Sequence, residues 1–200
     1  MSQIIVRTAH SKDLESILGI MSCAYSARGY CSHSRAEQYL EHNKFALVAE
    51  KNQEIVGTML VTYDEGNIPA DEDFPDEMKK IRDAATRIAY YGSFAVKASM
   101  WELCIFSIGC SLVREAISRA LEDWIETAVI VVNPRHQEFY EALGFVEIAR
   151  REEMPGLGIE GKVPGVLMTV TRETLRDVLG QKADFRVLRT QKMAHIHAHA

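Results

Sequence analysis

The sequence predicts a single α/β (α+β) domain over residues 1–180, a central mixed, mostly antiparallel sheet flanked by helices. Three stretches carry that prediction. In the first, TAVIVVNPRHQEFYEALGF over Thr127–Phe145, an apolar β-branched run reads as a buried strand. Asn133 then offers an N-cap oxygen, and Pro134 sits at the first helical position, where its missing N–H costs nothing. His136, Tyr140 and Leu143 fall on one side of the helix, Gly144 is its C′ residue, and Phe145 opens the next strand. In the second stretch, Leu103, Phe106, Cys110, Val113, Ile117, Leu121 and Trp124 recur at three- and four-residue steps, which makes a long amphipathic helix. The third, KFALVAEKNQEIVGTMLVTYD, reads as two strands turning at Lys51-Asn52-Gln53, with apolar interiors suited to cover on both faces.

The remaining elements follow in order. IIVRTA is a first strand. Ser11 is placed to cap a helix whose apolar face is Leu14, Ile17, Leu18 and Met21. After a turn at Arg28-Gly29, Ser34 and Glu37 have capping-box spacing for a second short helix. Residues 65–87, EGNIPADEDFPDEMKKIRDAATR, form a long insertion, read either as a functional segment or as a solvated acidic loop anchored by Phe74. IAYYGSFAVKA is the central strand, ending at Val96-Lys97. In the long helix, Gly109 implies close approach to a neighbour, since glycine otherwise costs about 1 kcal/mol against alanine there. FVEIARRE is a strand, a Gly-rich link follows, and VPGVLMTV is the last strand. Thr171 caps a final helix through Leu175, Val178 and Leu179, stopping at Gly180. Residues 181–200 are a basic tail ending in MAHIHAHA, whose alternating His195, His197 and His199 are read as a terminal extension rather than a metal site.

Bulk properties narrow the function. Two hundred residues with a formal charge of −5 suit one soluble domain and give no general attraction for nucleic acid or an anionic membrane. No apolar run approaches the roughly 20 residues of a membrane span. MSQIIVRTAHSKD lacks the apolar core of a signal peptide, so a cytoplasmic protein is expected. Cys23, Cys31, Cys104 and Cys110 have no paired spacing, which argues for inert thiols and against a structural metal or disulfide framework.

The order of elements and the run from Asn133 through Tyr140 to Gly144-Phe145 resemble the GNAT-type N-acyltransferases. NPRHQEFYEALGF followed by KVPGVLMTV, with the Ile68-Pro69, Phe74-Pro75 and Ile81-Arg82 segment, resembles more narrowly the N-acyl amino acid synthases and homoserine-lactone synthases. That branch takes long acyl chains from acyl carrier protein. The resemblance implies a splayed sheet, with the strands ending at Val96 and Val132 parting to admit the pantetheine arm of an acyl thioester. It assigns Phe94, Ala95 and Val96 to line that arm, with Lys97, Ser99 and the rest of the turn to Leu103 at its phosphate end. There the unpaired N–H groups of a helix start favour an anion. Tyr140 stands at the position of the family's general acid. His136, one turn earlier, reads as a base, an acyl-ordering group or a surface residue. Asn133 is a cap that also lies near the arm.

Two departures bear on the donor. The turn KASMWELCIFSIG carries Met100, Trp101 and Glu102 where the family spaces glycines, so backbone wraps a pyrophosphate less closely. In the central strand Tyr90 and Ser93 stand where the acyl-chain branch has Glu and Arg. The leading expectation is therefore an enzyme moving an acyl group from acyl carrier protein to the amine of an amino acid or small amine, with no permanently bound cofactor and no metal. The basic segment from Arg172 to Lys192 would suit an acidic carrier. The alternatives are an acetyl-coenzyme A N-acetyltransferase and a non-catalytic module that binds an acyl thioester or a partner.

Overall fold

A computed structural model describes residues 3–26, 45–154 and 163–180, with the side chains of 98 and 101–106 outside that description. The expected helix at Ser34–Glu37, part of the Gly-rich link and the 181–200 tail lie outside it. Seven strands form one sheet in the order β1-β2-β3-β4-β5-β7-β6. They are β1 Ile5–Thr8, β2 Phe45–Lys51, β3 Glu54–Tyr63, β4 Ile88–Val96, β5 Thr127–Val132, β6 Val146–Arg151 and β7 Gly165–Thr171. Among the described residues six α-helices accompany them: α1 Leu14–Ser26, α2 Ala70–Asp73, α3 Pro75–Ala84, α4 Trp101–Glu122, α5 Gln137–Glu141 and α6 Arg172–Gly180. Every strand pairing is antiparallel except β4 with β5.

The two faces of the sheet are covered differently. On one, α4 lays Ile108, Leu112, Val113 and Ile117 against Leu47, Met59 and Val61, joined by Tyr140, Phe145 and Leu175. Gly57 lets α4 approach closely, because a Cβ there would stand 2.7 Å from Ile108 Cγ2. Gly109 serves the same end from the helix side, since a Cβ there would stand 3.0 Å from Phe94 Cζ. On the other face, α1 packs Ile17, Ile20 and Met21 on Val48, Leu60 and Ala95.

Beside α1 lies the insertion, which is not a solvated loop. Ile68, Phe74 and Met78 are buried with Tyr90, Val129 and Leu167 in a second apolar cluster. Arg82 clamps it, donating to Asp64 at 2.6 Å and to Asp71 at 2.5 Å. Phe74 is therefore not a lone anchor but the centre of a small core, further covered by the Arg151 guanidinium 5.0 Å above its ring.

Three details differ from expectation. The turn ahead of α1 is fixed by the Asp13 carboxylate, which accepts from the His10 N–H at 2.7 Å, so Ser11 begins the turn and does not cap it. Leu14 is 43 % exposed, and Ile20 takes its place on the apolar face. Trp124 is 65 % exposed because α4 stops at Glu122 and Trp124 adopts a left-handed φ of 58°. Its ring instead carries the Arg172 guanidinium at 4.7 Å. Leu103 and Phe106, expected on the same face, lie among the side chains outside the description.

The local signals otherwise hold. Asn52 and Gln53 take φ of 53° and 64°, as a two-residue hairpin turn requires. The Asn133 side chain accepts from Arg135 N–H at 3.1 Å. Gly144 has φ 84°, and a Cβ there would strike Thr174 Cγ2 at 2.4 Å. Thr171 Oγ1 accepts from the Thr174 N–H at 3.4 Å, capping α6.

Candidate active site

The site is built by a failure of pairing. β4 meets β5 only at Ile88–Thr127, Ala89–Ala128 and Tyr90–Val129. Beyond Tyr90 the strand runs on to Val96 with no β5 partner, while β5 remains paired with β7 through Val132. The sheet thus opens from a vertex at Tyr90 and Val129 toward Val96 and Val132. Backbone polar groups along such an edge need partners, and an extended ligand can supply them.

β4 is also bulged within this open run. Leu60 pairs with Gly92 but Thr58 with Ala95, so β4 carries one residue more than β3 across that interval. Ser93 absorbs it with φ 47°, a conformation that costs a non-glycine residue free energy. The Phe94 carbonyl beside it accepts a 3.1 Å hydrogen bond from the Tyr25 hydroxyl of α1. Phe94 turns its ring to α4, whereas Ala95 packs toward α1 and Val96 toward α4.

Asn133, His136 and Tyr140 leave the end of β5 on one short helical connection. Tyr140 is buried in the same apolar cluster as Val96 and Val132. It packs edge-on against Phe139 and Phe145. Its hydroxyl makes no hydrogen bond to the described residues, and burial pushes the phenol well above its usual range. Tyr140 is thus a protonated donor at neutral pH and not a base. His136 is half-buried at the start of α5, its N–H donating to the Asn133 carbonyl at 2.8 Å. Cys110 is buried, and desolvation lifts its thiol to about 11, so it is no nucleophile.

At the open end, the turn Ala98–Met100 joins β4 to α4. Lys97 and Ser99 line a cavity of about 820 Å³ between α1 and the β2–β3 hairpin. The cavity brings three cations, Arg7, Lys12 and Lys97, against three anions, Asp13, Glu50 and Glu54. Arg7 is held by Asp13 at 2.6 Å and Glu50 at 3.1 Å. Lys97 is paired with Glu54. A phosphate would therefore compete with a carboxylate for Lys97.

Sequence reasoning located the β5–α5 connection and the β4–α4 turn. It missed Tyr25 and the bulge at Ser93, since neither has a local signature: one is a contact across 69 positions and the other a matter of β3 register. Among the described residues there is no group of three or more His, Cys, Asp or Glu placed to hold a metal. No described helix is long and apolar enough to cross a membrane.

A splayed mixed sheet, a bulged central strand and a long helix starting at the open end define a GNAT-type acyltransferase fold. Comparison with known proteins agrees. Residues 16–171 match the family described as N-acyl amino acid synthase FeeM, and the chain belongs to that family, which places it among the N-acyltransferases. The structure of FeeM, an N-acyl amino acid synthase from uncultured soil microbes, superposes with a TM-score of 0.78 at 20 % identity, covering 92 % of this chain and 99 % of that one. The ribosomal-protein-S18-alanine N-acetyltransferase of Escherichia coli gives 0.62 at 14 % identity, covering 84 % and 94 %. A GNAT family acetyltransferase from Elizabethkingia anophelis with acetyl-CoA bound gives 0.58 at 16 %, covering 84 % and 97 %. A comparison with curated protein sequences finds no match.

Proposed function

We propose that this protein moves an acyl group from a pantetheine thioester on acyl carrier protein to the amine of an amino acid or similar small amine. The observation that carries the reading is the run of β4 beyond Tyr90 that has no β5 partner, in one apolar cluster with Tyr140, whose buried hydroxyl makes no hydrogen bond to the described residues. An arm lying along Phe94, Ala95 and Val96 would satisfy the open backbone edge and bring its sulfur toward Tyr140.

The chemistry then follows. The amine nitrogen attacks the thioester carbonyl carbon, the C–S bond breaks, and the sulfur leaves as a thiolate that takes the Tyr140 proton. The amine gives up its own proton, for which His136, with Asn133 fixing its turn, is the nearest candidate on this connection. Products are the amide and the free thiol, and the phenol is restored through solvent or His136. A phenol held protonated by burial suits the acid role over the neutral range.

The turn at Lys97 and Ser99 favours a carrier arm over free coenzyme A. Lys97 is already paired with Glu54, and bulky residues replace glycine, so binding of a pyrophosphate gains little there. A carrier arm brings one phosphate and docks mostly through protein surface. Arg172, at the start of the basic segment, is engaged with the Leu121 carbonyl at 2.7 Å, which leaves the carrier surface to residues further on. The bound acetyl-CoA of the Elizabethkingia neighbour keeps an acetyl-coenzyme A N-acetyltransferase as the second reading.

Thiol release tests both. Carrier protein loaded with acyl groups and acetyl-coenzyme A are each supplied with and without an amino-acid mixture. Amine-dependent release from the carrier is the expected result, and release from acetyl-coenzyme A alone would replace it with the second reading. Binding of the loaded carrier with no release from either donor would make the protein a non-catalytic acyl-thioester binder.

A further inference from the structure

We propose that the donor's phosphate is seated in the open cavity beside α1, where the Lys12 ammonium meets it with the Ser16 and Ser99 hydroxyls. The inference rests on reading the β4–β5 gap as the thioester site. It concerns the outer end of the pantetheine arm, a phosphate that carrier-bound and coenzyme A donors share. The turn after β4 offers that group little by itself, since Lys97 is paired with Glu54 and bulky residues stand where glycines would. The same turn, through Lys97 and Ser99, forms one wall of the cavity of about 820 Å³, and α1 forms another.

What the cavity can hold follows from the pairs already made inside it. The Arg7 guanidinium is bound to Asp13 at 2.6 Å and to Glu50 at 3.1 Å. Asp13 also accepts from the His10 N–H at 2.7 Å, and Lys97 holds Glu54. All three carboxylates of the lining are thereby engaged, and Lys12 is the cation left over. Among the described residues it makes no hydrogen bond or ion pair, and the charge it feels is that of Asp13, already taken by Arg7. The Ser16 and Ser99 hydroxyls add donors with no partner among the described residues. One ammonium beside free hydroxyls suits a small oxyanion, and a single free cation matches the one phosphate of a carrier arm. The three cations and three anions of the lining sum to zero, so the phosphate is held by contact and not by a long-range field.

Gly19 shows that the space is kept open on the helix side. It lies in the middle of α1, where glycine weakens a helix against alanine. A Cβ there would meet nothing within 4 Å, so packing does not demand the glycine. Gly19 lines the cavity three residues after Ser16 and on the same face of α1. Its missing side chain leaves room for a ligand to approach the helix beside that hydroxyl.

The test is direct binding of dodecanoyl-pantetheine and dodecanoyl-phosphopantetheine to the full chain without acceptor, followed by thiol release with acylated carrier protein and amino acids. The ratio of the two dissociation constants measures what the phosphate contributes. Wild type is expected to bind the phosphorylated thioester about fivefold more tightly or better. Lys12→Gln should bring that ratio down to about one while leaving dodecanoyl-pantetheine binding unchanged, and Lys12→Arg, which keeps the charge, should retain most of it. Gly19→Leu should lower the ratio with no fall in melting temperature. With the carrier as donor, Lys12→Gln should raise KM severalfold and leave kcat near wild type. A ratio near one in wild type, an unchanged ratio in Lys12→Gln, or an equal loss for both thioesters overturns the proposal. So does a KM effect with the carrier and none with free phosphopantetheine, which would assign Lys12 to the carrier's surface. The expected ratios without amine-dependent release would sustain the phosphate seat while removing the transferase reading. No binding of either thioester would remove both.

Discussion

The Tyr25 hydroxyl donates a 3.1 Å hydrogen bond to the Phe94 carbonyl, tying the end of α1 to the bulge of β4. The bulge holds Ser93 in a left-handed conformation, which persists only while its surroundings hold it. Tyr25→Phe keeps the ring and removes the tie. The expected outcome is a loss of about 1 kcal/mol in stability and a severalfold weaker donor KM, with kcat less affected. Steady-state kinetics beside urea unfolding would check it. An unchanged KM would show that β4 keeps its shape unaided.

Tyr140→Phe separates chemistry from packing. The hydroxyl makes no hydrogen bond to the described residues, so its removal leaves the edge-on contacts with Phe139 and Phe145 in place. Turnover should fall about 100-fold, the lower range for a lost general acid, while donor affinity and melting temperature stay near wild type. Because burial holds the phenol above its usual range, the wild-type pH–rate profile should show no loss from Tyr140 up to the ordinary tyrosine pKa. A fall in melting temperature in step with activity would assign Tyr140 to structure.

What could be read in advance was what local chemistry encodes. Asn133, Pro134 and Gly144 each report a backbone need within a few positions, and the connection carrying Tyr140 forms where they place it. The period of α4 is equally local, but it runs on to Trp124, where the helix has already ended. Nothing in a residue's neighbours shows that Ser93 will bulge, because the bulge exists only against β3. The insertion was ambiguous for a related reason. Its acidic residues read as solvated, and only the fold shows Asp64 and Asp71 converging on Arg82 while Phe74 turns inward. The vertex at Tyr90 is likewise a property of two strands, not of one.

Glu54 restrains the residue best placed to meet the donor's phosphate. It pairs with Lys97 at the mouth of the cavity, where both are well exposed. Such a pair contributes little to stability, but it occupies the only lysine at the β4–α4 turn. Glu54→Gln should leave the melting temperature unchanged and tighten donor binding about threefold at low salt, the gain fading as screening rises. Titration of a pantetheine phosphate at two ionic strengths would measure it. An equal gain at both would exclude an electrostatic origin.

Asp13 should make the fold acid-sensitive in a defined window. Its carboxylate is held at about 2, first by the hydrogen bond from Arg7 and, against the opposing effect of burial, by the His10 N–H. In the unfolded chain an aspartate titrates near 3.9. A folded pKa below the unfolded one means the unfolded state takes up the proton first. The stabilisation is therefore complete above about pH 4 to 5 and is lost as pH falls through about 2. Asp13→Asn keeps the shape but not the charge, and Arg7 retains Glu50 at 3.1 Å. At pH 7 the variant should be about 1–3 kcal/mol less stable, and the gap from wild type should narrow steadily toward pH 2. Denaturant unfolding at pH 7, 5 and 3 would follow that narrowing. A constant gap would show that the asparagine is penalised for its geometry and that the Arg7 pair does not couple folding to protonation.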